Sequence, residues 1–312
     1  MANKPHHLRG YLYIATATLL WGTAASLGRA AFTGRLLGGS LVNIDPLILS
    51  QCRTTFSFLI LLPVLLIRRG SHGLRLPMPD LGRTFLLGVF GVAVSNYFYY
   101  VAIQRTNVAT AIVVQYTAPV WVLLYMLLVG KQKAALGRIV AVGFAVLGIT
   151  VFVGMGPDKF RVDLFGVIAA TLAAFSFAFY NIAGHNLLAR YDHWLILLYT
   201  TLGTALVWLI INPPWKIAHY SGTQWMFLLI FAVVSMLAPF SFYFAGLKHL
   251  EPTKAIVVSC LEPVFSIVIA AITLGELMRP GQILGVALVL GAIIVVQRPD
   301  RENPEVVIEP IE

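Results

Sequence analysis

The sequence predicts an all-α integral membrane protein: ten transmembrane helices, arranged as two inverted five-helix repeats, with the N- and C-termini cytoplasmic. Three observations predict this fold. They are a composition too apolar for a water-exposed surface, ten apolar runs of spanning length, and an internal repeat with five runs in each copy. Of the 312 residues, 59% are hydrophobic and 11% are charged, whereas a soluble domain has about 25% charged residues. This composition excludes a soluble globular enzyme and an intrinsically disordered chain.

The formal net charge of +9 does not indicate nucleic-acid binding, because that function needs a clustered basic face on a soluble domain. The Lys and Arg residues lie instead in short polar gaps between apolar runs, where they set membrane topology. Cys52 and Cys260 both lie inside apolar runs and are expected to pack as small apolar residues. We therefore expect no disulfide, no metal site and no cofactor.

Ten apolar runs are long enough to cross a bilayer, since a spanning helix needs about 20 mostly apolar residues. Each is continuously apolar, which favours helices over barrel strands, whose residues alternate over about ten positions. The first run is longer than the apolar core of a signal peptide, about 7–15 residues, and we expect an uncleaved span. Only residues 104–107 separate the third run from the fourth, and only residues 248–252 separate the eighth from the ninth. Tight turns are therefore expected there. In chain order the runs are residues 11–31, 46–67, 81–103, 108–129, 136–153, 163–189, 194–211, 224–247, 253–274 and 281–296.

An even number of runs places both termini on one side of the membrane. Fourteen of the 22 Lys and Arg residues fall on that side, seven fall on the other, and Arg53 lies inside a run. Cytoplasmic loops carry an excess of Lys and Arg, so we predict cytoplasmic termini and a location in the cell membrane. The tail, residues 298–312, is polar, contains proline and lacks apolar periodicity, so we expect it to be disordered.

An internal repeat divides the chain into residues 10–153 and residues 163–297, with five runs in each half. The stretch Ala-Ile-Val-Val occurs at 111–114 and again at 255–258, and the same shift of 144 matches Pro119 with Pro263 and Tyr99 with Tyr243. Because five is odd, the second half enters the membrane from the opposite side. Such inverted repeats are characteristic of alternating-access transporters, which bind substrate near the midplane between the halves.

Short motifs recur at matching places in the two halves. The second half has Leu-Glu-Pro-Val at 261–264, Leu-Gly-Glu at 274–276 and glycines at 281 and 285; the first half has Trp-Gly at 21–22, Ala-Pro at 118–119, Val-Gly at 129–130 and glycines at 137 and 148. Over about residues 10–297 these motifs resemble the drug/metabolite transporter superfamily in its ten-helix EamA-type form, and the YddG-type amino acid exporters most of all. The resemblance implies export, with aromatic amino acids as usual substrates. Lys131 stands where the family commonly has an acidic residue, so we interpret the equivalent Glu276 as an interfacial structural residue.

Two ionisable residues lie deep inside the predicted spans, where a charge costs about 2.5–3.5 kcal/mol on insertion scales. Glu262 is close to the predicted midplane and is a candidate for proton coupling or amine binding. Alternatively, its carboxyl group bonds backbone groups that Pro263 frees. Arg53 lies about 10 Å along the second run, so it is expected to snorkel to the outer interface, to pair structurally or to bind a carboxylate. His185 is expected to pack between helices.

Uncharged polar and aromatic side chains inside the spans indicate a central cavity. Amide and hydroxyl groups in hydrocarbon need partners, and a water-filled cavity would supply them; packing between helices is the alternative for each one. Aromatic rings there could hold an apolar side chain or a cation. The candidate substrate-binding residues are Trp21, Asn96, Tyr99, Tyr100, Gln115, Asn181, Tyr243 and Ser259, with Tyr116 in the same polar set; the candidate hinges are Pro119 and Pro263.

Three functions are compatible with these residues. The first is export of neutral or aromatic amino acids and related small metabolites by alternating access through the cavity. The second is export of lipophilic cations such as methyl viologen, for which Glu262 beside aromatic rings is suited. The third, a polytopic membrane enzyme, lacks the paired acids or nucleophile motif that it would need, so we expect no catalytic residue. The expected partners are a small-molecule substrate and the lipid bilayer, without nucleic acid, and the expected state is a monomer.

Overall fold

The computed structural model describes residues 7–35, 44–128, 140, 143–148, 150–151, 163–247, 249, 258 and 261–296. Over these ranges the chain is helical, and no strand occurs in them. In chain order we label the helices α1 (His7–Phe32), α2 (Pro46–Arg69), α3 (Met78–Arg105), α4 (Val108–Gln115), α5 (Ala118–Leu128), α6 (Leu164–Arg190), α7 (His193–Ile211), α8 (Gly222–Gly246), α9 (Leu261–Leu274) and α10 (Pro280–Val296); short 3-10 turns lie at His72–Leu74 and Pro214–Lys216.

These helices coincide with most of the predicted runs. The run at 108–129 forms two helices, α4 and α5, with a break between them. The run at 136–153 and the tail at 298–312 lie largely or wholly outside the described residues. Five of the described helices are long and apolar enough to cross a membrane: α2, α3, α7, α8 and residues Leu164–Gly184 of α6. Helix α1 has 26 residues and is not one of these five. The number of ten spans and the cytoplasmic termini stay predictions.

Side-chain caps set where several helices begin, because the first N–H groups of a helix have no partner within it. Asp45 caps α2 by accepting from Ile48 N at 3.0 Å. Asn107 caps α4 by accepting from Thr110 N at 2.7 Å, and it ends the tight turn predicted after the third run. Asp and Asn are preferred at this position because their short side chains reach the free N–H groups.

Helices α3 and α8 each contain a π-helical turn, at Leu87–Ala93 and Val233–Leu237. The sequence shift of 144 carries residues 87–93 onto 231–237, so the two turns occupy matching places in the halves. Such turns interrupt the regular hydrogen-bond ladder and are frequent at functional sites. A neighbouring helix donates to each: Thr204 Oγ1 of α7 to Gly88 O, and Arg53 Nη2 of α2 to Ser235 O, both at 2.7 Å. In both halves, a side chain of a neighbouring helix thus donates to a carbonyl of the π-helical turn, but the donor residues differ.

Replacing Thr204 by valine is expected to lower the free energy of unfolding by about 1 kcal/mol, because the hydrogen bond to Gly88 O is lost while the side-chain shape is kept. Thr201→Val is the matched control. Its hydroxyl is equally buried but bonds only carbonyls of its own helix. Thermal unfolding of the purified variants measures the difference. Equal melting temperatures for the two variants would show that the π-helical turn does not depend on Thr204.

Close helix crossings bring the interior side chains together. A Cβ atom on Gly22 of α1 would stand 2.9 Å from Ser266 N of α9, so only glycine allows this approach. This close approach explains why a glycine occupies position 22 of the Trp-Gly pair. Helix α1 also packs on α8, α2 packs on α3, α7 and α8, and α4 packs on α9. Helices from both halves therefore surround one interior, and the ionisable residues of the spans lie in it.

Candidate functional site

Arg53 turns toward the interior of the helix bundle. Its Nη1 donates to Asn96 Oδ1 at 2.9 Å and to Tyr100 Oη at 3.1 Å, and its Nη2 donates to Ser235 O at 2.7 Å. The Nε atom is buried and has no hydrogen-bond partner within the described ranges. Arg53 therefore pairs with α3 and α8 instead of snorkelling to the outer interface, because neutral acceptors are within reach of the guanidinium on the inner side.

Glu262 lies in the first turn of α9, and its Oε2 accepts a hydrogen bond from Tyr116 Oη at 2.7 Å. Tyr116 stands at the break between α4 and α5, where the chain leaves the helical ladder for two residues. Pro263 follows Glu262 within this first turn, where a missing N–H is tolerated. In the part of the chain that the structure describes, no cation pairs with Glu262. Its carboxylate is therefore bonded to a neutral phenol.

Tyr99 lies beside Tyr100, with their ring centroids 5.5 Å apart. Its side chain is only 8% exposed, and its hydroxyl has no hydrogen-bond partner among the residues described. The charges of Glu262 and Arg53 both act on this hydroxyl, and they also act on each other. Even so, the two groups form no ion pair within 4.0 Å. Among the residues described, Arg53 and Glu262 are thus unpaired with each other, and the Tyr99 phenol is within electrostatic range of both.

Aromatic rings from α1 and α8 lie beside this interior. The Trp21 ring is 5.5 Å from the Phe240 ring and 6.0 Å from the Tyr243 ring, measured between centroids. Tyr243 is buried in a packed cluster with Ile14, whereas Trp21 is half-buried. Because the neighbouring Gly22 contacts α9 one turn after Glu262, Trp21 lies on the helix that borders the carboxylate.

The other predicted residues are placed less centrally or lie outside the described residues. The Asn181 amide nitrogen donates to a backbone carbonyl of its own helix at 2.7 Å, and Gln115 is half-buried at the end of α4. Ser259 lies outside the described residues, as do the side chains of Pro119 and His185. Pro119 and Pro263 each fall in the first turn of a helix, and their role as hinges stays a prediction.

A charged network joins the C-terminal end of α1 to the segment that follows α9. Arg29 Nε and Glu276 Oε1 are 2.7 Å apart, and both side chains are 17% exposed. Arg29 Nη1 also donates to Ile103 O at 2.7 Å and to Gln104 O at 2.8 Å. Glu276 Oε2 accepts from Val108 N at 3.1 Å. Sequence reasoning missed Arg29, because its partner is 247 positions away and no local pattern links them.

A second charged network joins α3 to the end of α6, at the opposite end of the bundle. The buried Asp80 carboxylate accepts from Arg190 at 3.0 and 3.1 Å, from Arg83 at 3.0 Å and from Tyr191 Oη at 2.7 Å. The hydrogen bond to Asp80 raises the pKa of Tyr191. Both networks join helices of the first half to helices of the second half, one at each end.

The described helices define an α-helical multi-pass membrane protein with an ionisable interior, an arrangement that marks substrate or ion pathways. In the described ranges no three His, Cys, Asp or Glu side chains come together to hold a metal ion. The EamA-like transporter family matches the chain twice, at residues 8–154 and 164–298. The chain therefore belongs to the EamA-like transporter family, which confirms the EamA-type resemblance of its motifs, while the likeness to YddG-type exporters stays a prediction.

Its relatives are named as transporters. An uncharacterized transporter of Archaeoglobus fulgidus is 25% identical over 88% of this chain and 94% of its own length. The uncharacterized inner membrane transporter YicL of Salmonella typhimurium is 22% identical over 95% and 97%. The threonine/homoserine exporter RhtA of Escherichia coli is 28% identical over 66% and 67%. A solved crystal structure shares the fold, with a TM-score of 0.59 at 19% identity over 92% of this chain and 95% of the other.

Proposed function

We propose that this chain is a secondary transporter that exports neutral and aromatic amino acids and related small metabolites by alternating access through a central cavity. The observation that carries the proposal is the interior carboxylate of Glu262, which accepts from the Tyr116 hydroxyl and pairs with no cation of the described residues. Such a carboxylate can accept a substrate ammonium group or a proton without first breaking an ion pair. The half-buried Trp21 ring offers apolar contact area for a substrate side chain.

The relatives support the amino acid class. RhtA is named as an exporter of threonine and homoserine, and both are neutral α-amino acids. The direction of transport, export, is likewise suggested by that name. The YddG-type preference for aromatic substrates rests on motif resemblance and on the aromatic rings of α1 and α8.

Two features of the fold support alternating access. The π-helical turns of α3 and α8 occupy matching places in the two halves, as an internal repeat with inverted topology would place them. The Arg29–Glu276 and Asp80–Arg190 networks join the halves at opposite ends of the bundle. We infer that each network closes one entrance. A cell-membrane location, cytoplasmic termini and a monomeric state belong to the same proposal.

A lipophilic cation is the second candidate substrate, because Glu262 lies on a helix that packs against the Trp21 region of α1. Uptake into proteoliposomes separates the candidates. We expect saturable uptake of labelled phenylalanine, tryptophan, methionine and threonine above the level of protein-free liposomes. Repeating the assay with an imposed pH gradient distinguishes proton antiport from facilitated diffusion. Uptake of methyl viologen without uptake of any amino acid would replace the amino acid exporter with a cation exporter.

A further inference from the structure

Arg53 is an interior cation whose partners are all neutral. They are an amide oxygen, a phenol and a backbone carbonyl, and among the residues described no carboxylate lies within ion-pairing distance of it. A guanidinium has five N–H donors in a planar fork. It makes three hydrogen bonds, and the buried Nε–H finds no partner among the described residues. The group is thus held in place with donor capacity left over.

Glu262 is the negative counterpart of Arg53, within electrostatic range of it but bonded to other groups. If these two charges served only to neutralise each other, a direct ion pair would be expected, because separated charges in a low-dielectric interior are costly. Instead Asn96 and Tyr100 hold the guanidinium, and Tyr116 holds the Glu262 carboxylate. The unsatisfied Tyr99 hydroxyl lies within electrostatic reach of both. The arrangement has a positive pole, a negative pole and a free hydroxyl in one interior.

We propose that Arg53 binds the carboxylate of the substrate while Glu262 binds its ammonium group, so that the pair selects α-amino acid zwitterions. This assignment rests on the proposed amino acid transport and names the residue that defines its substrate class. A zwitterion carries both charges and no net charge, so it satisfies both poles at once. The guanidinium fork suits a carboxylate, which it can bind through two parallel hydrogen bonds.

The two charged groups together determine which substrates are accepted. A compound with an ammonium group but no carboxylate leaves Arg53 without an anion and places a second positive charge near it. A carboxylate without an ammonium group leaves Glu262 unmatched in the same way. Leaving a charged group of the site without its partner is costly. The pair therefore disfavours lipophilic cations and simple carboxylates alike.

Competition assays on the native chain test this directly, and they do not depend on any variant folding. The assay measures inhibition of labelled phenylalanine counterflow by unlabelled phenylalanine, by phenylalaninol and by 3-phenylpropionate. We expect the two analogues to inhibit about 10- to 100-fold more weakly than phenylalanine, since each lacks one charged contact. Phenylalaninol as potent as phenylalanine would overturn the role of Arg53 while leaving amino acid transport intact. Absence of any phenylalanine counterflow would instead overturn the proposed function and this assignment with it.

Variants of α2 supply the second test. In Arg53→Gln, inhibition of counterflow by phenylalanine is expected to weaken about 10- to 100-fold. Inhibition by phenylalaninol should be nearly unchanged, so the variant no longer discriminates between the two compounds. Arg53→Lys keeps the charge without the fork and should retain part of the discrimination. Arg69→Gln is the matched control, because it removes the same charge from the same helix where Arg69 pairs with the exposed Asp192. Unchanged discrimination in Arg53→Gln would overturn the assignment.

Discussion

Replacing Glu262 by glutamine is expected to slow amino acid transport about 10- to 100-fold, because a hydrogen bond to a charged group is lost from the bound substrate. Glutamine has the size of glutamate, and its amide oxygen can still accept from the Tyr116 hydroxyl. What it lacks is the negative charge for an ammonium group and the ability to titrate. Initial rates in proteoliposomes, together with the melting temperature of the purified variant, measure the effect.

The matched variant for this test is Tyr116→Phe. It removes the hydroxyl that holds the carboxylate but leaves the carboxylate itself, so we expect a loss of about fivefold or less. If Glu262→Gln transported at the native rate and responded normally to a pH gradient, the carboxylate would have a structural role. That result would limit the role of Glu262 to its hydrogen bond with Tyr116.

Breaking the Arg29–Glu276 pair is expected to lower the free energy of unfolding by about 2 kcal/mol, because each partner also bonds backbone groups of the α3–α4 turn. We expect this loss in Arg29→Gln and in Glu276→Gln. The charge-reversed double variant, Arg29→Glu with Glu276→Arg, should not recover the native stability. A glutamate at position 29 cannot donate to the carbonyls of Ile103 and Gln104, and an arginine at position 276 cannot accept from Val108 N–H. Thermal unfolding in one detergent compares the variants.

Two comparisons make the stability result specific. Arg29→Lys keeps the positive charge but lacks the planar guanidinium that makes several hydrogen bonds. Its melting temperature should therefore lie between those of the native chain and Arg29→Gln. Arg69→Gln breaks a pair whose side chains are 31% and 45% exposed, and exposed pairs contribute about 1 kcal/mol or less. Full recovery of stability in the charge-reversed variant would show that the contact is a simple ion pair and not a network.

Glu262 illustrates what sequence reasoning could reach. A carboxylate in the middle of an apolar run is rare and stands out without any structure. Arg53 stands out for the same reason, but its role was open because its partners are 43 to 182 positions away. The π-helical turn that presents Ser235 O has no strong local signal, since its residues are as apolar as those of a regular helix. Arg29 was overlooked because it lies near the end of a run, where basic residues are ordinary.

The sequence by itself determined the membrane class and the positions of most helices, and it predicted the internal duplication. These properties are local, because the bilayer demands about 20 apolar residues per crossing and requires every backbone group to be bonded within its own segment. Only the tertiary structure decided which way Arg53 turns, that it stays apart from Glu262, and which groups tie the two halves together at each end. Those contacts depend on how each helix is rotated and how closely it crosses its neighbours, and small residues far apart in the chain, such as Gly22 against Ser266, set that packing.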